Sequence, residues 1–147
     1  MKFRLYLDNC CFNRPYDDQS YLVIYLETEA KLFIQQKILQ GTFELVWSYM
    51  LDYENSFNPY ENRLNAIAMW RDIAVLDIDA SDEIVELGKK IIQKGIKNKD
   101  ALHIASAIYA KCDYFLTTDK KLLSRNFDEI KIINPLDFIK LLGVNKI

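Results

Sequence analysis

The feature that most constrains this chain is a repeated change of hydrophobic period. Short runs rich in β-branched and aromatic residues occur at 3–7 (FRLYL), 43–47 (FELVW), 74–78 (AVLDI), 114–118 (YFLTT) and 130–133 (IKII), each flanked by polar or turn residues. Longer helical patterns lie between them. The first is expected from about Asp18 to Gln40, with Leu22, Leu26 and Phe33 at helical spacing, an Asp cap, and Gly41 just past its end. Ser48 can cap a short helix through Phe57, Pro59 can start a third carrying Leu64, Ile67, Ala68 and Ile73, and Ser81 can cap a fourth with Ile84, Val85, Leu87 and Ile91. A fifth, Lys99 to Lys111, is apolar on several faces, as a largely buried helix would be, and a last one follows Pro135. Strands alternating with helices imply right-handed crossovers and an α/β fold: a three-layer α/β/α sandwich around a central, mainly parallel sheet of four to five strands. Such sheets place ligands beyond the carboxyl ends of their strands.

No repeat, low-complexity tract or Gly/Ser linker interrupts the pattern, so residues 1–147 read as one domain. With half the residues hydrophobic, 27% charged, and only 4 Gly and 3 Pro, the composition excludes a disordered or collagen-like chain. A chain of this length can bury a self-sufficient core, so a metal here would serve chemistry rather than folding. Three cysteines, two of them adjacent (Cys10, Cys11) and one distant (Cys112), suit reduced thiols, and with one histidine they lack the spacing of a zinc site. Arg4 and Asp8 break the apolar start, and no run approaches the roughly 20 apolar residues of a membrane span. The expectation is a cytoplasmic protein.

The net charge of −2 is unevenly distributed: residues 89–125 carry +6 and the remainder −8. Inside the basic segment lie two of the acids of interest, Asp100 and Asp119. Asp8 directly follows the first predicted strand and Asp119 the fourth, so both should open onto one rim of the sheet. Asp100 sits in the first turn of the buried helix that leads into strand four, where an acid is partly desolvated and asks for a compensating cation. Asp52 and Glu54 lie two apart on the helix after strand two, so only one of them can face the same rim. Each acid could instead cap the element that follows it. Together, converging carboxylates without His or Cys partners form an all-oxygen site suited to Mg2+ or Mn2+, ions that activate water and stabilise an in-line phosphoryl displacement. His103, three residues after Asp100, reads as an orienting or capping partner rather than a general base, and the Cys10-Cys11 pair as small buried packing.

Leu7-Asp8-Asn9 after strand one, Ser48 followed six residues later by Glu54, Asp100-Ala-Leu-His-Ile-Ala-Ser-Ala107, and Thr117-Thr118-Asp119 together resemble the PIN domain, the metal-dependent nuclease fold of VapC-like toxins. The resemblance covers essentially the whole chain. It implies that Asp8, Glu54, Asp100 and Asp119 are both the catalytic acids and the ligands of Mg2+ or Mn2+, with Asn9 and Thr118 supporting them. It further implies single-stranded endoribonuclease activity leaving a 5'-phosphate, an antitoxin partner and a homodimer. Cys10 departs from the pattern, since that position is often Ser or Asn in the family. Lys99, Lys120 and Lys121 stand where RNA phosphates would arrive, and Arg14 either reaches a phosphate or anchors its loop.

Two other readings compete. A PIN-like domain that has lost catalysis would be an RNA- or protein-binding module, which the presence of all four acids disfavours. An aspartyl-phosphate phosphatase would want a second Asp where Cys10 stands, and a receiver domain a Lys after its last strand, where Ile133 is followed by Asn134 and Pro135.

Overall fold

Five strands pair in one parallel sheet in the computed structural model of the chain, which describes residues 2–143. They are β1 (Arg4–Leu7), β2 (Glu44–Ser48), β3 (Leu76–Ile78), β4 (Tyr114–Leu116) and β5 (Lys131–Ile133), in the order β3-β2-β1-β4-β5. Every neighbouring pair is parallel, with Tyr6 opposite Val46 on one side and Phe115 on the other. Leu5, Tyr6 and Leu7 are all buried, the signature of a central strand covered by helices on both faces, and the edge strand β3 exposes Leu76 and Asp77. The chain leaves β1 towards β2 and later returns to β4 on β1's other side, so the switch of direction falls between β1 and β4.

Nine helices join the strands among the described residues. After β1 come α1 (Asn9–Asn13), a 3-10 turn (Arg14–Tyr16) and α2 (Leu22–Leu39). Between β2 and β3 lie α3 (Tyr49–Asn55), α4 (Glu61–Ala68) and α5 (Trp70–Ile73). The helices α6 (Asp82–Ile92) and α7 (Asn98–Tyr109) lead into β4, α8 (Lys120–Leu123) follows it, and α9 (Pro135–Leu141) comes after β5. Ser81 caps α6 through the amide of Ile84, and Asn134 caps α9 through that of Leu136 with Pro135 in its first turn. Gly41, at φ +77°, closes the end of α2, where the Thr42 amide reaches back to the Lys37 carbonyl.

The expected first helix differs from the observed one at its start and in its orientation. Asp18 accepts from the Ser20 amide in a turn, so it does not cap a helix, and α2 begins at Leu22. The inward face of α2 carries Glu27, Thr28, Lys31 and Gln35 along with Ala30, Ile34 and Ile38, while Leu22 and Leu26 point outward. The buried polar residues have partners that the helix pattern alone does not show. The Glu27 carboxylate pairs with Arg14 Nε at 3.2 Å and accepts from Asn134 Nδ2, and Thr28 Oγ1 donates to the Arg14 carbonyl. One salt bridge thus ties the turn after α1 to α2 and the start of α9. The expected third helix is two: it starts at Glu61 rather than Pro59 and is interrupted at Met69.

Lys31 is the one buried lysine of this face, 5% exposed, with Nζ 5.5 Å from the centre of the Phe12 ring and no carboxylate paired with it among the described residues. Burial pulls its pKa down from 10.5 to about 8. The charged form is therefore disfavoured in the fold, a cost fully present below pH 8 and relieved as pH rises to about 10.5. Lys31→Met is expected to stabilise the protein by about 3 kcal/mol at pH 7, and urea unfolding of both proteins should show the difference shrinking as pH rises above 8.

Candidate acidic active site

Asp8 and Asp119 reach the same rim because β1 and β4 are neighbours and both residues follow their strands' carboxyl ends. Glu54 arrives from α3, which follows β2, and Asp100 from the first turn of α7. All four line a single open cavity of about 350 Å³, together with Asn9, Cys10, Asn13 and Asp17. Lys99 flanks it beside Glu54 and Asp100 in an adjoining hollow. A further cavity shares Asp100 and Asp119 and is lined by Lys97, Lys121 and Arg125, none of which forms an ion pair among the described residues.

The four carboxylates are held differently. Asp8 is 6% exposed; Oδ1 accepts from the Asn9 amide at 2.8 Å, and Oδ2 accepts from Thr117 Oγ1 at 2.9 Å. Burial pushes its pKa up, against the pull of His103 and the Thr117 hydroxyl. The Asp100 carboxyl is also pushed up, by burial first and then by the charges of Asp8 and Asp119. Asp119 is exposed and does cap α8: its Oδ1 accepts from the amides of Lys121 and Leu122 at 2.8 and 3.4 Å. Its other oxygen makes no hydrogen bond, so the capping and site roles are compatible.

Glu54 is positioned by a buried row of side chains. His103 is fully buried, with Nε2 bonded to Glu54 Oε1 and Nδ1 2.5 Å from the Tyr6 hydroxyl, which lies 2.6 Å from Ser48 Oγ. The carboxylate can only accept, so Nε2 carries a proton. With a neutral imidazole, Nδ1 then accepts from Tyr6 and Tyr6 from Ser48. Burial of Glu54 would raise its pKa, but the hydrogen bond from His103, with the charge of Lys99 beyond, lowers it. Burial pushes the Tyr6 hydroxyl well above its ordinary range, so it stays a donor. His103 thus orients Glu54 rather than Asp100, its expected partner. One donor atom each from Asp8, Glu54 and His103 lies within 4.8 Å of the others, but both imidazole nitrogens are already engaged, which leaves the carboxylates as the free donor set.

Three expectations change at the level of single atoms. Support for the strand-end acids comes from Thr117, not Thr118: the Thr117 hydroxyl donates to Asp8 and accepts from the Asp119 amide at 3.1 Å. Thr118 instead gives its amide to Cys10 Sγ. Cys10 packs against the core but also faces the site, its Sγ 3.5 Å from Asp8 Oδ2 and 3.4 Å from Thr117 Oγ1, whereas Cys11 is buried. Arg14 is an anchor, spent on Asp17 and Glu27. Asp52 accepts from Trp47 Nε1 and pairs with Arg71, which leaves Glu54 to the cavity. Thr117 escapes sequence reasoning because adjacent threonines at a strand end are indistinguishable until the strand's pleat is fixed.

The fold and site together define a parallel α/β protein with a carboxylate cavity at its topological switch point. The PIN domain family model matches residues 6–128, and the chain belongs to that family. Among solved structures it is similar to a chain of the VapBC2 complex from Rickettsia felis, bound to a DNA fragment from their promoter. The TM-score is 0.56 and the identity 16%, over 90% of this chain and 98% of that one, a likeness of fold. No curated relative matches the chain.

Because the folded Asp100 carboxyl titrates above its unfolded value, it costs the wild type stability as pH rises through the carboxylate range, and Asp100→Asn removes that contribution. At pH 7 in EDTA the variant is expected to melt a few degrees higher, with the difference vanishing towards pH 4; scanning calorimetry at both pH values checks this.

Proposed function

We propose that this protein is a metal-dependent endoribonuclease acting on single-stranded RNA, built as one domain and working in the cytoplasm as the toxin of a toxin–antitoxin pair. The observation that carries the reading is the convergence of Asp8, Glu54, Asp100 and Asp119 on one cavity, two of them with pKa values raised by burial. Such a donor set is all oxygen and fits Mg2+ or Mn2+. An ion of this kind, when bound, supplies an activated water and neutralises charge on a phosphoryl group.

The chain's own residues would do the rest. Asp8 would hold its carboxylate fixed through Thr117 and the Asn9 amide, and Glu54 through His103. Asp100 and Asp119 would complete the set from the side that meets Lys97, Lys121 and Arg125, where the phosphate backbone would lie. Lys99 extends that basic edge, Lys120 would add to it from the start of α8, and Asn9 lines the cavity itself. Thr118 serves by fixing Cys10 through its backbone.

A protein partner is supported by the outward face of α2, which leaves Leu22, Val23, Tyr25, Leu26, Leu32 and Leu39 exposed. The similar Rickettsia felis structure is a VapBC2 complex, and an antitoxin would cover such a face in this protein; a homodimer is the second occupant the reading allows.

Cleavage of a mixed single-stranded RNA panel tests the proposal. With Mg2+ or Mn2+ the wild type should leave 5'-phosphate ends, and EDTA or Asp100→Asn should reduce the rate at least 100-fold while the variant stays folded. A metal-independent activity, or an undiminished rate in Asp100→Asn, would overturn it. No cleavage and no metal-dependent rise in Tm would favour the binding module instead.

A further inference from the structure

The last turn of α3 and the segment that joins it to α4 present three aromatic rings to solvent beside Glu54. Phe57 is 66% exposed, Tyr60 53% and Tyr53 47%, although nothing in their local structure requires rings there. Tyr53 and Phe57 meet edge to face with centroids 5.0 Å apart. Each ring has a cation beside it. Lys99 Nζ lies 5.5 Å from the Tyr53 centroid and 5.9 Å from that of Phe57, and the Arg63 guanidinium carbon lies 3.9 Å from the Tyr60 centroid. Neither Lys99 nor Arg63 forms an ion pair among the described residues.

A second observation points to a ligand. Phe57, Tyr60 and Arg63 line a hollow of about 240 Å³ with Asn55 and Asn58, and this hollow shares Asn9, Asn13 and Glu54 with the acidic cavity. Asn55 is 4% exposed; its Nδ2 donates to the Leu64 carbonyl at 2.9 Å. That carbonyl can only accept, which fixes the amide's orientation and holds the wall of the hollow in place.

We propose that the α3–α4 segment is a nucleobase platform. One unpaired base next to the cleaved phosphate stacks on Phe57 or Tyr60 and offers an N–H to the asparagine-lined hollow, while Lys99 and Arg63 meet the adjoining phosphates. Exposed rings interleaved with cations are the arrangement by which proteins hold single strands, because every base has a π-face and every linkage a charge. The outward face of α2 is different: it is largely aliphatic, as a protein partner requires. The platform and the cavity of Lys97, Lys121 and Arg125 share no residue and adjoin different members of the acid set, so a strand held by both would cross the carboxylates. This inference rests on the ribonuclease reading for the identity of its ligand as RNA. A paired base cannot reach the rings, which restricts the substrate to unpaired segments.

The test is fluorescence anisotropy in the Asp100→Asn background with Mg2+, using a labelled single-stranded RNA of about ten nucleotides, an abasic ribose-phosphate oligomer of equal length and a hairpin stem. Phe57→Ala and Tyr60→Ala, both at exposed positions, should leave Tm unchanged and weaken single-strand binding about tenfold, with no change for the abasic oligomer. Unchanged affinity in both variants, an equal loss for the abasic oligomer, or no binding of single strands by the parent would overturn the platform. The last result would leave the aromatic patch as a protein contact. RNA cleavage by the wild type with unaltered binding in both variants defeats the platform alone, and base-dependent binding without cleavage defeats only the nuclease reading.

Discussion

Repulsion among carboxylates gathered at one end of a parallel sheet is the interaction that the rest of this structure answers. Asp8, at the switch point, is nearly removed from water, and burial together with the charges of Asp8 and Asp119 raises the pKa of Asp100. Left to solvent, such groups would swing apart. Here two of them cannot, because Thr117 and the Asn9 amide hold both oxygens of Asp8 and His103 holds Glu54. Hydrogen bonds to a charged group contribute about 1.5–3 kcal/mol each, comparable with the cost of crowding two partly solvated anions. The fold therefore meets the expense locally, and a divalent cation is the partner that would reverse its sign.

The row Ser48–Tyr6–His103–Glu54 couples this site to the sheet. Tyr6 belongs to the central strand, stacked on Phe115 of β4 with centroids 5.2 Å apart, and Ser48 ends β2. Ser48 begins α3 by position but caps nothing with its side chain, since its hydroxyl is engaged by Tyr6. A polar row through a core this apolar is costly unless every member is bonded, and each of these four is. Its rigidity sets the orientation of Glu54, which otherwise sits half-exposed on a helix of two turns.

The fold was legible where a hydrophobic period ran long enough to be read. All five strands and the helices containing Ile84, Ala101 and Phe138 follow from period and caps, and the parallel order follows from the crossovers. The acids after β1 and β4 were legible for the same reason, since a sheet brings its strand ends together. Glu54 was not, and needed the family resemblance to separate it from Asp52. What escaped were features set by partners distant in sequence. Five-residue α1 has too few turns for a period, α2 turns Glu27 inward because Arg14 and Asn134 await it, and His103 finds Glu54 49 residues away. Cys10 looked like packing because a thiol beside a carboxylate is visible only once Thr117 is in place.

The surroundings of the acids are not uniform, and the difference bears on how one site can be generic in its chemistry yet selective. Towards α8 the cavity opens onto three cations, which would respond to any polyanion and discriminate little. Towards α4 it opens onto rings and asparagine side chains, groups that respond to the face and edge of a base. The carboxylates between them answer only to charge and geometry. In the proposed reading selectivity belongs to the α3–α4 segment, whose side chains are mostly exposed. That segment can vary without disturbing the row that holds Glu54, because the row runs through His103 of α7, Tyr6 of β1 and Ser48 of β2, all of them buried.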